Sequence, residues 1–389
     1  MERLLLKGVL HDGRTRNILI EDRRFKDLDA PAEVAGSKVL DASGTAILPA
    51  LYNTHTHAAM TLLRGYADDM PLMKWLQEYI WPFEDKLTPE DVRQGSEIAI
   101  KEMVQSGTVF FNDMYFDVEE TIDAVDRAGM RAAIGITVME NHSKTVTEGK
   151  KEFIHQWHDP TDGRIRLVMA PHAIYTVGER KLRDCAEFAR EHGMLLHIHL
   201  SETLTEVEDC LRDHGTTPVR YLDRIGFLGP DVIAAHCVHV DDEEAAILAE
   251  RGVTVSHNPC SNMKLSSGVF PYRRMMQAGC RLTLGTDGAS SGNNLDLREA
   301  MKFAALLAKA GGDPELLPAE EIFRWATRSG AEAFGIDAGV IAEGKLADCL
   351  LIDLSDIRMQ PCHHLISNFV YSADSRCIKH VLCDGRIIL

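Results

Sequence analysis

Eight short apolar runs alternate with helix-like stretches through the middle of the chain. The runs begin at Ile47, Thr108, Arg131, Ile165, Leu195, Val232, Val253 and Arg281. Each ends in a polar or Gly/Pro break and is followed by an amphipathic stretch, as from Pro89 to Gly107. Repeated β/α units over roughly 250 residues have the size and pattern of a (β/α)8 barrel. The alternation therefore predicts an α/β fold built on a TIM barrel.

The two ends of the chain differ from the middle. Residues 1–46 contain short β-like runs with no helical unit between them, and residues 344–389 repeat that character. Such segments on both sides of a barrel favour a small second sheet built from both termini. We therefore predict that segments 1–46 and 344–389 form one small domain and that 47–343 form the barrel.

Composition argues against several classes of function. The formal net charge is −17 at pH 7, which disfavours a nucleic-acid or anionic-membrane surface. No apolar stretch is long enough to span a bilayer, and the start of the chain has no signal-peptide pattern. The nine cysteines are scattered without a CxxC pair, which indicates reduced thiols. We expect a cytoplasmic protein that binds neither nucleic acid nor membranes.

Polar side chains cluster where the predicted strands end. His55 and His57 close the first run, and because residues i and i+2 of a strand share a face, both rings converge on one spot. Burying two imidazoles without partners is costly, so a metal site is favoured over a buried polar pair. Catalytic groups of such barrels lie at the carboxyl ends of the strands. The other polar strand ends are Asn112, Asp113, His172, His199, Glu202, His236, Asn258 and Asp287.

Four of these residues form a candidate set of metal ligands. His199 lies nearer the carboxyl end of its run than His197, so His197 is expected to be packing. Asp287 ends the eighth run, which neighbours the first in a closed barrel. Together with His55 and His57 they offer three imidazoles and one carboxylate, which suit Zn²⁺ above all and leave a position open for water. Fe²⁺ and Mn²⁺ accept the same donors.

Glu202 and His236 are the candidates for proton transfer. A bound cation lowers the pKa of its water, but the protons still need donors and acceptors. Glu202 follows His199 by three residues and suits acid/base work, the alternative being a surface carboxylate that starts a helix. His236 is expected to orient or deprotonate the water, and His239 to be structural. A GxSxG match from Gly288 has no independent His/Asp pair and predicts a loop.

Seven motifs along nearly the whole chain carry a family resemblance. They are NTHTHAAMTLLRG, WPFEDKLT, APHAIYT, HLSET, AAHCVH, SHNPCSNMKL and LGTDGASSGNN, in that order. As a set they resemble the amidohydrolase superfamily, and within it the S-adenosylhomocysteine/5′-methylthioadenosine deaminases, near triazine chlorohydrolases and guanine deaminases. The resemblance implies a distorted (β/α)8 barrel with both termini in a β-sandwich, and an aminohydrolase that acts on a cyclic amidine. Relatives are often dimers or tetramers, which implies a homo-oligomer.

The resemblance also implies roles residue by residue. Its metal ligands fall on His55, His57, His199 and Asp287. Its acid/base residues fall on Glu202 and His236, and Asp287 becomes a proton shuttle as well as a ligand. Relatives with two metals bridge them with a modified lysine at the end of the fourth strand. The run LVMAPHA has no lysine there, so one divalent metal per chain is predicted.

The substrate that the resemblance implies is a purine nucleoside. In nucleoside-handling relatives the acid at the position of Glu84 binds the ribose hydroxyls, and the histidine at the position of His172 contacts the nucleoside. A carboxylate suits a vicinal diol because it accepts two hydroxyl donors at once. Trp75 and Trp81 lie in a long segment that we expect to close over the barrel mouth and stack on a flat heterocycle, although a tryptophan on a helix is often packing.

One departure from the family pattern concerns the 5′ substituent. Relatives that accept S-adenosylhomocysteine carry arginines after the third strand, but this chain has none between Arg131 and Arg164, and Ile136 stands where one is expected. The pattern favours adenosine, 5′-deoxyadenosine or 5′-methylthioadenosine over S-adenosylhomocysteine. Lysines between Arg131 and Arg164 could substitute for the arginines but lack their bidentate fork, namely Lys144, Lys150 and Lys151.

Two alternatives for the function stay open. One is a triazine, pterin or guanine hydrolase on the same scaffold, and the other is a metal-free scaffold or binding protein.

Overall fold

The protein is described from a computed structural model, whose described residues are 2–140, 156–158 and 163–389. The three lysines considered as substitutes for arginine lie outside these ranges. The strands, in chain order, are β1 (Arg3–His11), β2 (Arg14–Glu21), β3 (Arg24–Asp27), β4 (Lys38–Asp41), β5 (Thr45–Pro49), β6 (Leu51–Thr56), β7 (Thr108–Tyr115), β8 (Arg131–Val138), β9 (Ile165–Pro171), β10 (Leu195–Leu200), β11 (Val232–His236), β12 (Thr254–His257), β13 (Arg281–Leu284), β14 (Cys349–Asp353), β15 (Ile378–Cys383) and β16 (Arg386–Ile387).

Strands β6 to β13 form the barrel. They lie side by side in chain order, and each hydrogen-bonded pair is parallel. Just beyond β13 the backbone N–H of Asp287 donates to the carbonyl oxygen of His55, so the end of the eighth strand lies beside the end of the first. Parallel strands covered by helices are buried on both faces, which explains why their sequences read as continuous apolar runs.

The helices surround these strands and connect them. Pro89–Gln105 begins with a capping box, in which Thr88 accepts from the backbone N–H of Asp91 while the Asp91 carboxylate accepts from that of Thr88. No helix among the described residues has the length and apolar character needed to cross a membrane. The α-helices are Leu72–Trp75, Trp81–Glu84, Pro89–Gln105, Val118–Ala128, Glu179–Glu191, Leu204–His214, Pro218–Arg224, Asp242–Glu250, Pro259–Lys264, Tyr272–Ala278, Leu297–Ala310, Ala319–Arg324, Gly330–Ala333 and Leu365–Tyr371.

Both termini build a second, mixed sheet. Its order is β16-β15-β14-β5-β1-β2-β3, with β4 paired to β1. The C-terminal strand β14 runs antiparallel to the N-terminal strand β5, with Leu350 opposite Leu48. Beneath the sheet, the buried guanidinium of Arg131 donates from Nε to Asp348 Oδ2 (2.9 Å), and the hydroxyl of Tyr52 donates to the same oxygen (2.6 Å). These bonds join the barrel strands β6 and β8 to the terminal sheet.

The apolar run from Ile47 contains two strands where the sequence predicts one. β5 pairs with β14 in the terminal sheet, whereas β6 starts the barrel beside β7. The change of sheet occurs at Pro49 and Ala50, and Ala50 donates its N–H to the carbonyl oxygen of Asp348 (3.2 Å). Both strands are buried, so hydrophobic periodicity carries no mark of the boundary between them.

Candidate active site

Four side chains converge at the carboxyl ends of β6, β10 and β13. The Nε2 atom of His57 lies 3.3 Å from Nε2 of His199 and 3.2 Å from Oδ1 of Asp287. Nε2 of His55 lies 3.4 Å from the same carboxylate oxygen. The structure thus brings the four predicted ligands close together: His55, His57 and His199 form one group that could hold a metal ion, and His55, Asp287 and His236 form a second that shares His55.

Two of the imidazoles are oriented by backbone carbonyls. Nδ1–H of His57 donates to the carbonyl oxygen of Met114 (2.6 Å), and Nδ1–H of His199 donates to that of His172 (2.8 Å). Because a carbonyl oxygen only accepts, the proton is fixed on the outer nitrogen of each ring. Nε2 is therefore the nitrogen that each ring presents to the shared point, as a metal ligand requires.

His55 is held by another histidine. Its Nδ1 lies 2.9 Å from Nε2 of the buried His197, whose own Nδ1 lies 3.0 Å from the amide nitrogen of Asn112. Burial lowers the pKa of His55 to about 4, despite the nearby Asp287. Its Nε2 is buried with no hydrogen-bond partner among the described residues, and it faces the carboxylate. His197 lies one layer down, as expected for packing, but it also contacts a predicted ligand.

The charges at this point favour a cation. Burial opposes ionisation of Asp287, but the close contacts with the rings of His55 and His57 outweigh it and hold its pKa well below the ordinary value. Burial also opposes the charged form of His57, yet Asp287 and the Met114 carbonyl raise the pKa of that ring to about 9. A proton on His57 thus supplies positive charge to the carboxylate when no metal does. A divalent cation of the Zn²⁺ type fits these donor atoms. They are the Nε2 of His55, which has no hydrogen-bond partner among the described residues, the ionised carboxylate of Asp287, and the Nε2 atoms of His57 and His199.

Glu202 and His236 lie beside the predicted ligands. Glu202 is buried, Ser267 donates its hydroxyl to Oε1 (3.1 Å), and burial raises the pKa of the carboxyl group. His236 Nε2 lies 3.7 Å from Glu202 Oε2 and 3.9 Å from Asp287 Oδ2. Nδ1 of His236 lies 2.7 Å from the amide oxygen of Asn262, to which it donates. Glu202 is therefore a buried carboxyl group and not an exposed one at the start of a helix.

The backbone is left-handed at several of these strand ends. The φ angle is +72° at His236 and +49° at Cys237, +64° at Asp287, and +49° at Ser201, the residue before Glu202. Non-glycine residues adopt positive φ at an energetic cost, and such residues concentrate at functional sites. From these turns Glu202, His236 and Asp287 line the cavity at the barrel mouth.

A cavity of about 590 Å³, including its open mouth, is lined by three of the four predicted ligands, His57, His199 and Asp287. Trp75, Trp81 and Glu84, from the segment after β6, line this cavity together with His172. Glu84 is only 3% exposed and lies beside the hydroxyl of Tyr115, whose pKa is raised first by burial and then by the Glu84 charge. These four residues, which were predicted from the sequence, therefore line the same cavity as Glu202, His236 and Asp287.

The position named for the missing arginine does not face the cavity. Ile136 points outward from β8 and packs in the core, whereas Thr137 and Met139 line the cavity. Successive residues of a strand alternate between faces, so Thr137, and not Ile136, presents its side chain to the cavity. The described residues that line the cavity include no lysine or arginine.

Several residues around the site carry no signal in the sequence that predicts their contacts. Glu206 resembles any acid in the first turn of a helix, and Asn262 and Ser267 lie in a polar stretch after β12. Their partners are distant in sequence or depend on left-handed turns, which local patterns do not specify. Methionines from three separate elements, Met60, Met114 and Met139, line the cavity without any spacing that links them.

The fold and this site define a class, the barrel hydrolases whose metal is held by histidines and an aspartate at the carboxyl ends of the strands. Residues 46–388 match the model of the amidohydrolase family. The chain therefore belongs to the amidohydrolase family, which confirms the resemblance and the predicted hydrolytic enzyme.

Several proteins similar to the chain are named deaminases. It is 44% identical over 400 residues to 5′-deoxyadenosine deaminase of Methanothermobacter thermautotrophicus, with 100% of this chain and 93% of that protein covered. It is 44% identical over 391 residues to 5-methylthioadenosine/S-adenosylhomocysteine deaminase of Dictyoglomus thermophilum, covering 96% of this chain and 92% of that one. A zinc-bound adenosine deaminase from Xanthomonas campestris superposes with a TM-score of 0.91 at 34% identity, covering 99% and 92% of the two chains. This likeness confirms the predicted barrel with a domain from both termini.

Proposed function

We propose that the protein hydrolyses the amino group of adenine nucleosides, giving the inosine analogue and ammonia. The proposal is supported by the proximity of His236 to Glu202 and to Asp287, one of the four proposed ligands, and by Glu84 in the wall of the same cavity. The activities named for the relatives point the same way. The cofactor in this proposal is one Zn²⁺ per chain, which the zinc of the adenosine deaminase supports.

A metal ion at the proposed site would supply Lewis acidity. A Zn²⁺ ion held by His55, His57, His199 and Asp287 would lower the pKa of a water at that point toward neutrality. His236 presents Nε2 toward Asp287 Oδ2, since its Nδ1–H donates to Asn262. That nitrogen is therefore an acceptor for the proton that the water loses as its oxygen attacks C6 of the adenine.

Glu202 donates a proton to the substrate and later accepts one. Because burial raises its pKa, the carboxyl group can hold a proton and donate it to N1 of the adenine as the C6–O bond forms. The first proton of the water, held at His236 and Asp287, passes to the amino group, the C6–N6 bond breaks, and ammonia leaves. The second returns to Glu202 as the carbonyl group forms at C6. One water is consumed and the enzyme recovers its starting protonation.

The rest of the cavity suits a nucleoside with an apolar 5′ group. The Glu84 carboxylate offers two acceptors to a vicinal diol. Methionine, leucine and aromatic side chains make up much of the remaining wall. An amino-acid carboxylate at the 5′ position would meet no cation among the described lining residues, so we infer that 5′-deoxyadenosine and 5′-methylthioadenosine are better substrates than S-adenosylhomocysteine.

The test is ammonia release by the zinc-loaded enzyme across a panel. The panel contains adenosine, 5′-deoxyadenosine, 5′-methylthioadenosine, S-adenosylhomocysteine, guanine and a chloro-triazine. We expect turnover of the adenosines, with the apolar 5′ groups giving the highest kcat/KM. Activity confined to guanine or the triazine would refute the nucleoside assignment, and S-adenosylhomocysteine as the best substrate would refute the inference on the 5′ group.

A further inference from the structure

Glu206 is a buried carboxylate outside the proposed ligand and acid/base sets. It is 5% exposed and lies in the first turn of the helix Leu204–His214. Its two oxygens accept from two successive backbone N–H groups: Oε1 from Ser201 (2.9 Å) and Oε2 from Glu202 (2.8 Å). The second of these residues is the proposed acid.

This bonding differs from an ordinary helix cap. The helix has Thr203 as its N-cap, whose hydroxyl accepts from the N–H of Glu206 (3.2 Å). In a capping box the acid at this position bonds back to the N–H of the N-cap residue, as Glu244 does to Asp241 in the helix Asp242–Glu250. Glu206 reaches past its N-cap to the two residues before it. Its carboxylate therefore binds the turn that carries Glu202.

The same turn is held from its other face. The carbonyl oxygen of Ser201 accepts from the N–H groups of Val238 (3.0 Å) and His239 (2.9 Å), which lie just beyond the end of the next strand, β11. Ser201 is left-handed, with φ of +49°, so its peptide groups need partners that keep this conformation. Adjacent N–H groups that point the same way form an anion-binding nest, and Glu206 supplies the anion.

The Glu202 side chain has a second support. Ser267 donates its hydroxyl to Oε1 of Glu202, and His239 Nε2–H donates to the carbonyl oxygen of Ser267 (2.6 Å). His239 therefore ties the loop that bears Ser267 to the turn that Glu206 holds. The backbone of Glu202 is fixed by one residue and its carboxyl group by another.

We propose that Glu206 is a positioning residue that holds the backbone of Glu202 at the angle from which its carboxyl group reaches the substrate. This inference rests on the proposed acid/base role of Glu202. Displacing a catalytic group by about 1 Å can cost about 100-fold in rate. Glutamine cannot replace Glu206, because its amide has one acceptor oxygen for two N–H donors and puts an NH₂ group against the second.

The kinetic test uses the zinc-loaded Glu206→Gln enzyme with the best nucleoside substrate. We expect kcat to fall by about 10- to 100-fold, with KM within about threefold and zinc affinity unchanged, because no metal ligand contacts Glu206. In a Glu202→Gln background the same change should have little further effect, since residues that act through one group are not additive. A wild-type kcat, or an equal loss in both backgrounds, would overturn the proposal.

Two variants separate positioning from stability. Glu208→Gln removes an exposed carboxylate from the same helix and should leave kcat unchanged. Glu244→Gln removes a buried carboxylate at the equivalent helix position, where the carboxylate accepts from the backbone N–H of its own N-cap residue, Asp241. This substitution should lower stability without lowering kcat of the folded enzyme. A kcat loss in Glu244→Gln as large as in Glu206→Gln would show that helix capping alone explains the effect.

Amide hydrogen exchange tests the inference without any substrate. At least one of the N–H groups of Ser201 and Glu202 should exchange about 10-fold faster or more in Glu206→Gln, with no such change in Glu208→Gln, because the single acceptor oxygen of the glutamine amide leaves one of them without its hydrogen bond and open to water. Unchanged protection would refute the proposal. If the wild type shows this coupling but deaminates no nucleoside, the proposed function fails and the positioning contact stands.

Discussion

His55 and His197 are joined ring to ring, with Nδ1 of the first 2.9 Å from Nε2 of the second. Both rings are buried in the barrel, and the Asn112 amide contacts the far nitrogen of His197. The other two imidazoles of the ligand set are oriented by carbonyl oxygens, which cannot titrate. One of the four proposed ligands is thus oriented by a side chain that mutation can remove.

Removing His197 should therefore weaken metal binding. We expect His197→Phe to raise the Kd for Zn²⁺ by about 10- to 100-fold, the usual effect of losing a group that orients a metal ligand. Competition with a chromophoric chelator measures this Kd directly. The exposed His363→Phe provides the matched control and should bind zinc as the wild type does. Equal zinc affinity in both variants would show that His197 is packing only.

Glu202→Gln should separate metal binding from chemistry. The substitution keeps the shape of the side chain but removes the proton that we propose is donated to N1, so turnover should fall by about 10²- to 10⁴-fold. Zinc content, measured by elemental analysis, should stay at one per chain because Glu202 is not among the four proposed ligands and belongs to neither group that could hold a metal ion. A variant with wild-type turnover would rule out this acid/base assignment.

Glu84→Gln should impair the recognition of ribose. We expect kcat/KM for adenosine to fall by about 10- to 100-fold, the effect of weakening a charged hydrogen bond of about 1.5–3 kcal/mol. 2′,3′-Dideoxyadenosine lacks the vicinal diol, so its slower turnover should be nearly the same in variant and wild type. Glu78→Gln, an exposed acid in the same segment, is the control. Equal losses with both substrates would mean that Glu84 does not read the diol.

His257 should make stability sensitive to acid. Burial, and then the charge of His236, hold its pKa at about 3, below the ordinary value of 6.5. Between these two values the unfolded chain binds a proton that the folded chain does not. The free energy of unfolding therefore falls as the pH drops through this window, by about 1.4 kcal/mol per pH unit from this group.

The variant His257→Gln should lose this contribution. Urea unfolding of wild type and variant at several pH values between 6.5 and 4 measures the two slopes. We expect the slope of the variant to be smaller by about 1.4 kcal/mol per unit, whatever its absolute stability. The exposed His363→Gln should keep the wild-type slope. Identical slopes for wild type and His257→Gln would contradict a depressed pKa at this residue.

The residues at the strand ends could be predicted from the sequence for a physical reason. In a parallel barrel the carboxyl ends of all strands meet at one mouth, and the eighth strand lies beside the first. The order of the strands therefore predicts that Asp287 lies close to His55 and His57, as the structure shows. The i, i+2 pattern likewise indicated that two imidazoles share a face. Neither step needed the rotamer of a side chain or the conformation of a turn.

What the sequence could not provide depends on turns and on burial. Ser201 and His236 have positive φ without being glycine, so no residue type announces their conformation. Glu206 and Glu244 occupy the same helix position, yet one holds a neighbouring turn and the other caps its own helix. The change of sheet at Pro49 is hidden because both strands around it are equally apolar. Each of these features is set by tertiary contacts rather than by local pattern.

The most direct test of the central claim is the product stoichiometry from 5′-deoxyadenosine. Zinc-loaded enzyme would be incubated with this nucleoside, and ammonia and 5′-deoxyinosine would be quantified at several conversions. Hydrolytic deamination predicts one ammonia and one 5′-deoxyinosine for each nucleoside consumed. An enzyme with one zinc per chain that leaves 5′-deoxyadenosine, 5′-methylthioadenosine and adenosine unchanged would contradict the account.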